Sequence, residues 1–276
     1  MVSLLFVLLT TSFQGKDWKL DDGLLRIPTT LFAKFKVVFE GTPSDETDRL
    51  SRSIYYADQA SHDAISIDIE RLKRSGGLDE HGKNVVKSGV VYPKPNAFSG
   101  LPIGKFSGHR DDVSLSITLP WEAISFTNGW GCTVSYTPAF VDGPEGRVRT
   151  VPSDGHEAER VEGIARVLMG RMLAKDSKPS SPLTVHNRVF AEPRVAPNGT
   201  ILLNLSDWTE SIGAKAKVNL DMTIQISKGG KTVTTGLACS KAKVGKSALA
   251  DLEDYSIMIG DDIYVPYISL ENIIGI

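Results

Sequence analysis

The sequence predicts an α+β protein: an N-terminal antiparallel sheet with a packed helix, then a small β-meander domain with two short strand–helix repeats. Three patterns predict it. Val113, Leu115, Ile117 and Leu119 alternate with Ser114, Ser116 and Thr118, the period of a half-buried strand. Val161, Ile164, Ala165, Leu168, Met169, Met172 and Leu173 recur at three- and four-residue spacing, which is one face of an amphipathic helix. Near residue 201 a strand-then-helix pattern begins that is matched without gaps 62 residues further on, Ile201 against Ile263.

The chain has 276 residues, enough for two domains at roughly 150 residues each. Lys and Arg number 31 against 33 Asp and Glu, a net charge of −2, so the basic stripe of a nucleic-acid binder is absent. A 41% hydrophobic and 23% charged composition excludes a wholly disordered or fibrous chain. Two Cys and five His exclude a disulfide framework and a zinc ribbon.

The elements follow in order. Val2 to Leu9 is apolar except for Ser3, and small or polar Thr10 to Ser12 follow. The run is shorter than the roughly 20 residues of a membrane span and has the length of a signal-peptide core. Residues 1–14 are therefore expected to be a signal peptide, cleaved after Ser12 or Gln14, although no Lys or Arg precedes the apolar run. The protein is then secreted, periplasmic or cell-surface, with no transmembrane span. Cys132 and Cys239 can pair in that compartment.

Residues 15–174 form the first domain. Gly41 to Asp48 reads as a loop, and the charged stretch Asp45 to Arg74 as partly helical. Cys132, Val134 and Tyr136 alternate as a second strand, with Asn128-Gly129 as a hairpin turn before it. The helix through Val161 to Leu173 has Ser153 or Asp154 as N-cap, Glu157 and Glu159 in its first turn, and Arg160, Glu162 and Arg166 on a solvated face. Lys175 to Pro182 is polar and proline-rich, a linker at 175–182.

Residues 183–276 form the second domain. Met222, Ile224 and Ile226 alternate into the turn Gly229-Gly230, Lys231 to Thr235 return, and Val244-Gly245-Lys246 makes another turn. Ile257, Ile259 and Ile263 mark further strands. Around this meander lies the repeat. Ile201 and Leu203 correspond to Ile263 and Val265, Trp208 to Leu270, and Ile212-Gly213 to Ile274-Gly275. Trp208 and Ile212 share a helix face, and both glycines suit a left-handed C-terminal cap.

The stretch Asn198 to Ala214, the stretch Asp261 to Gly275 with Pro266, and the meander glycines resemble the stalk-type domain named after the N-terminal domain of copper amine oxidases. The resemblance covers residues 185–276, with Asn204 where the family usually has Pro. A fainter third copy is Asp22 to Pro28, without the closing Gly. The resemblance implies a small accessory module of exported bacterial proteins. It does not imply copper chemistry, because amine oxidase catalysis uses a quinone and three His ligands in another domain. His62, His81, His109, His156 and His186 show no ligand spacing, so no redox cofactor is expected.

Chemistry-bearing motifs are few. His156-Glu157 has Arg160 where a zinc-protease helix needs its second His, and Gly245-Lys246-Ser247 has Ser240 where a phosphate loop needs Gly. There is no Gly-x-Ser-x-Gly elbow. Asn198-Gly199-Thr200 and Asn204-Leu205-Ser206 match the glycosylation sequon, and in a bacterial-type chain they read as turn and strand residues. The sequence therefore points to an exported, non-catalytic cell-envelope protein. In it the stalk-like module serves as spacer or as binder of a cell-wall component or another envelope protein. Two alternatives stand beside it. One is a secreted hydrolase with a site in residues 50–175 built from His109, Asp111, Asp112 or Cys132. The other is a polysaccharide-binding module that stacks sugars on Trp121 or Trp130.

Overall fold

Alternating apolar residues and tight turns build most of this chain. The computed structural model describes residues 20–21, 24–25, 30–31, 35–41, 44–45, 49–72, 100–110, 121–127, 129–144, 146–149, 155–245 and 249–276. Strands account for 47% and helices for 19%, so the protein is sheet-rich, with several antiparallel sheets. Residues 1–14, the alternating run Val113 to Leu119, and Ser153 and Asp154 lie outside the described residues.

The N-terminal part contains β1 (Leu20–Asp21), β2 (Leu24–Leu25), β3 (Thr30–Leu31), β4 (Phe35–Glu40), β5 (Ser44–Asp45), β6 (Arg49–Asp58), β7 (Ala64–Leu72), β8 (Phe106–Arg110), β9 (Trp121–Thr127) and β10 (Trp130–Thr137). An eight-stranded sheet runs β3-β4-β6-β7-β10-β9-β8, with β5 paired to β6. The 113–119 period suggests a strand just before Asn128-Gly129. The strand that enters this turn is β9, and Trp130 faces Thr127 across it. β11 (Phe140–Gly143) and β12 (Gly146–Arg149) form a separate hairpin.

The described residues of the stretch Asp45 to Arg74 are not helical. Apart from Asp45 on β5 they form the β6–β7 hairpin, in register from Arg49↔Leu72 to Ala57↔Ala64. Ile54 and Tyr56, then Ile65, Ile67 and Ile69, are buried at every second position. A helix would scatter those β-branched residues around its circumference, whereas a strand puts them on one face. Tyr55, Ser66 and Asp68 between them are the other face of the pleat. The residues Gly41 to Asp48, read as a loop, include β5 on the same sheet.

Helix α1 (Glu157–Ala174) has His156 at its N-cap, with Glu157 and Glu159 in the first turn. It packs on β9 and β10 on one side. On the other side it meets β23 (Ile257–Ile259), the loop at Leu220 and Leu237. Covered on two sides, it buries every residue from Val161 to Leu173. The solvated face expected for Arg160, Glu162 and Arg166 is therefore corrected at two of its three positions. Glu162 is 1% exposed and Arg166 0%, while Arg160 is half-buried. Arg166 donates to Glu162 Oε1 at 2.8 Å and to the carbonyls of Leu101 (2.7 Å), Pro102 (3.1 Å) and Leu237 (3.1 Å). The guanidinium fork thus joins segments far apart in sequence. Near the other end, Arg171 donates to the Gly260 carbonyl at 3.0 Å, and burial lowers its pKa to about 10 against the opposing pull of Asp261.

Residues 175–182 leave the helix and carry β13 (Lys178–Pro179). Then come β14 (Leu183–Val185), β15 (Arg188–Phe190), β16 (Arg194–Val195) and β17 (Ile201–Asn204). Helix α2 (Leu205–Ser211) precedes a five-stranded meander of β18 (Lys215–Val218), β19 (Thr223–Lys228), β20 (Lys231–Gly236), β21 (Lys241–Val244) and β22 (Leu249–Asp251). The chain ends with β23, β24 (Asp262–Val265) and helix α3 (Tyr267–Ile274). A second five-stranded sheet runs β13-β16-β17-β24-β23. Gly229-Gly230 makes the β19–β20 turn with φ of 56° and 79°, the two left-handed residues that a type I′ hairpin needs.

The two strand–helix units meet through their strands. β17 and β24 pair antiparallel, with Leu203 opposite Val265 and Asn204 opposite Tyr264. Leu203 and Val265 are also each other's counterparts in the repeat, so a local two-fold axis of the strand pair passes through them. Asn204 and its counterpart Pro266 are the N-caps of α2 and α3. Asn204 accepts from the backbone N–H groups of Ser206 and Asp207, so a polar cap replaces the proline start. Gly213 and Gly275 both have positive φ where the helices end. Leu203, Trp208, Ile212, Ile263, Val265, Pro266, Leu270 and Ile274 are buried, and Ile201 is half-buried. All but Pro266 join the residues on α1 and on the N-terminal sheet in one continuous core.

Candidate functional site

Chemistry needs polar groups that converge where a ligand can reach them. The outer face of the β17–β24 pair has such a place. Ile263 and Val265 point from β24 into the core, so Asp262 and Tyr264 point the other way. Asn204, opposite Tyr264 on β17, shares that face. Asp207 comes from the first turn of α2, Phe190 from the end of β15 and Glu192 from the segment after it. These residues line a cleft of about 220 Å³.

The cleft is acidic. Glu192, Asp207 and Asp262 line it together with Tyr264. Burial raises the pKa of that phenol, the negative charges of Asp262, Glu192 and Asp207 raise it further, and Arg194 partly opposes them. Asp207 already accepts from Arg188 at 2.7 Å, and Arg188 also donates to Glu210 at 2.6 Å. Arg194 donates to the Ser177 carbonyl at 3.1 Å.

Beside the cleft, the β14–β15 hairpin lies against both repeat helices. Its turn residues His186 and Asn187 have φ of 49° and 60°. His186 Nε2 sits 2.8 Å from Glu271 Oε1 on α3, and Trp208 Nε1 donates to the same oxygen at 2.8 Å. One carboxylate therefore ties the hairpin, α2 and α3 together.

The residues singled out from sequence lie elsewhere. His109 lies on β8, where its backbone pairs with Ala123, while Asp111 and Asp112 fall outside the described residues. Cys132 is 1% exposed, and its thiol donates to the Ala165 carbonyl of α1 at 3.9 Å. Burial, reinforced by Glu70, pushes its pKa far above the ordinary thiol value. A nucleophilic thiol needs the opposite shift and an open approach, so Cys132 is corrected from candidate nucleophile to core residue. Cys239 is also a buried free thiol, hydrogen-bonded to Lys241, and the pairing with Cys132 does not form.

Trp130 is 1% exposed, with the Arg71 guanidinium 4.7 Å from its ring centroid. A sugar platform needs an open ring face, so Trp130 is corrected to a core residue. Trp121 starts β9, and its side chain lies outside the described residues. His62 sits in the β6–β7 turn, His156 at the start of α1 and His186 in the β14–β15 turn, so these three do not converge. No group of three His, Cys, Asp or Glu among the described residues is placed to hold a metal ion.

Sequence reasoning missed Glu192, Asp262 and Tyr264. The available signal was the alternation in Asp262-Ile263-Tyr264-Val265, which gives that strand a polar side. What stands over that side is set by residues 190 to 207, far away in the chain. The chain matches no protein-family model, no curated protein and no solved structure.

Proposed function

We propose that the chain is an exported, non-catalytic protein of the cell envelope. Its C-terminal region, similar to the stalk-type domain of copper amine oxidases, serves as a spacer or as a binder of a wall component or another envelope protein. The observation that carries this reading is the pairing of the two strand–helix units about a local two-fold, with a small polar cleft on their outer face. That arrangement offers recognition groups on a rigid support: four capped or paired elements hold the cleft, and α1 backs the same core. Rigid elements present binding groups with little ordering cost, which is what a spacer or docking module requires.

Export rests on the apolar run Val2 to Leu9. Among the described residues no helix is long and apolar enough to cross a membrane. The test is fractionation of cells expressing the full chain with a C-terminal tag, followed by N-terminal sequencing. A mature start near Phe13 or Gly15 in the envelope or medium is the expected result. An intact Met1 confined to the cytoplasm overturns the envelope reading.

A further inference from the structure

We propose that the β14–β15 hairpin is a proton-operated strap, fastened over α2 and α3 when His186 is charged and loosened when His186 gives up its proton. The strap stands on its own geometry and goes beyond the binder reading above.

The hairpin is a two-stranded sheet that pairs with no other strand among the described residues. Two strands alone are marginal in water. The turn places His186 and Asn187 at φ of 49° and 60°, left-handed backbone without a glycine. The hairpin is therefore held by what its inner face touches. Leu183 and Val185 are half-buried against the core and Phe190 is buried, whereas Thr184 and Val189 are exposed. Two polar ties complete the hold. Arg188 donates to Asp207 and Glu210 of α2. His186 Nε2 lies 2.8 Å from Glu271 Oε1 of α3.

The two ties differ in kind. A guanidinium keeps its charge, so the Arg188 tie is constant. Imidazole is the side chain whose charge ordinarily changes between about pH 5 and pH 8. Both nitrogens of an imidazolium carry hydrogen, so the charged ring always donates to Glu271. A neutral ring has one N–H divided between two tautomers, and its bond loses the charge assistance. The pair is sheltered, with Glu271 15% and His186 39% exposed. The other ionisable groups packed here form the background. Asp207 and Glu210 on α2 are engaged by Arg188, and Lys231 of β20 donates to the Ile274 carbonyl at the end of α3. The Tyr267 phenol on α3 is raised by burial and then by Glu271, and it stays neutral. The His186 tie is therefore strongest in mild acid and weakens as pH rises.

Trp208 Nε1 donates to the same Glu271 oxygen at 2.8 Å, and Trp208 is 0% exposed. His186 and the indole thus meet at one atom, and lifting the hairpin tip opens a path for solvent to the Trp208 N–H. β15 ends at Phe190, a wall of the cleft, so the strap also bears on that site. This last consequence rests on the binder reading, whereas the strap does not.

The test follows the Trp208 indole N–H in NMR spectra of the isotopically labelled full chain from about pH 5 to about pH 8. The signal is assigned by its loss in Trp208→Phe. A neutral paramagnetic agent in the solvent broadens it in proportion to its exposure. The expected result is a rise in broadening of about fivefold across the range, with the amide shifts of residues 183–190 following the same profile.

Two variants of similar reach separate charge from shape. His186→Gln keeps a neutral donor and is expected to be open at both ends of the range. His186→Lys keeps a charge throughout and is expected to stay closed. Both put an unbranched side chain at the same left-handed position, so a shared weakening of the turn cancels in their comparison. Glu271→Gln leaves an acceptor for Trp208, removes the charge opposite His186, and is expected to flatten the profile. A flat wild-type profile, a profile that persists in His186→Gln, or equal opening of the Gln and Lys variants at the alkaline end overturns the proposal. A cytoplasmic location would sink the envelope reading while leaving these spectra unchanged, so the two failures are separable.

Discussion

Replacing Arg166 by Met tests whether α1 is clamped in place by one buried guanidinium. The side chain is 0% exposed and hydrogen-bonds Glu162 and three backbone carbonyls, those of Leu101, Pro102 and Leu237. Methionine fills a similar volume, so little cavity is created. What is lost is electrostatic. Glu162, itself 1% exposed, loses its cation, and three carbonyls lose a donor. Removing one member of a buried ion pair costs about 3–5 kcal/mol. At about 2–4 °C per kcal/mol for a chain of this size class, the Tm should fall by roughly 6–20 °C.

Urea unfolding followed by circular dichroism reads the loss directly as a lower midpoint at unchanged slope. The double variant Glu162→Leu/Arg166→Met removes the stranded charge as well. It should recover part of the loss, but not all of it, because the three carbonyls stay unserved. A cost below about 1 kcal/mol for Arg166→Met would refute the clamp. So would a double variant whose loss is the sum of the two singles, because residues in direct contact must couple.

Three other outcomes follow from the same core. Gly163→Ala would normally help a helix by nearly 1 kcal/mol, but here the new Cβ runs into the Leu220 carbonyl oxygen, so the variant should lose about 1–3 kcal/mol in the same urea assay. Cys132 and Cys239 both have raised thiol pKa values through burial. The unfolded chain therefore ionises first, and stability is full below about pH 8.5 and falls above it by up to about 1.4 kcal/mol per pH unit for each thiol. Cys132→Ala should flatten that fall, and Ellman's reagent should react with native protein only as fast as it unfolds; a promptly reacting thiol would contradict the burial. Trp208→Phe keeps an aromatic ring in the core but deletes the donor to Glu271, and should cost about 1–3 kcal/mol by thermal unfolding.

Much of the local structure can be read along the chain. Ile65, Ile67 and Ile69 alternate as plainly as Ile224 and Ile226, and Asp68 between them with Glu70 and Arg71 after them masks a strand that only needs one polar face. The helix through Val161 to Leu173 is visible because its apolar spacing is 3.6. The turn at Gly229-Gly230 is visible because few residues tolerate positive φ.

The candidate site was less legible. Its members, Glu192, Asn204, Asp207, Asp262 and Tyr264, come from three separate segments, each unremarkable alone. Trp130 and Cys132 drew attention because their side chains carry chemistry, and burial then removed both from use.

By itself the sequence determined periodicity and symmetry. It set which residues share a face, where the chain turns, and that Ile201 to Gly213 repeats as Ile263 to Gly275. The tertiary structure alone decided what covers each second face. Arg166 and Glu162 occupy what looks like the wet side of a helix, and they became an internal clamp because the loops at Leu101 and Leu237 close over them. Asp262 and Tyr264 occupy what looks like the plain outer side of a strand, and they became the wall of a cleft because the segment at Glu192 folds beside them. The physical reason is common to both. Periodicity is a property of neighbours a few residues apart, whereas burial depends on which distant segment arrives to exclude water.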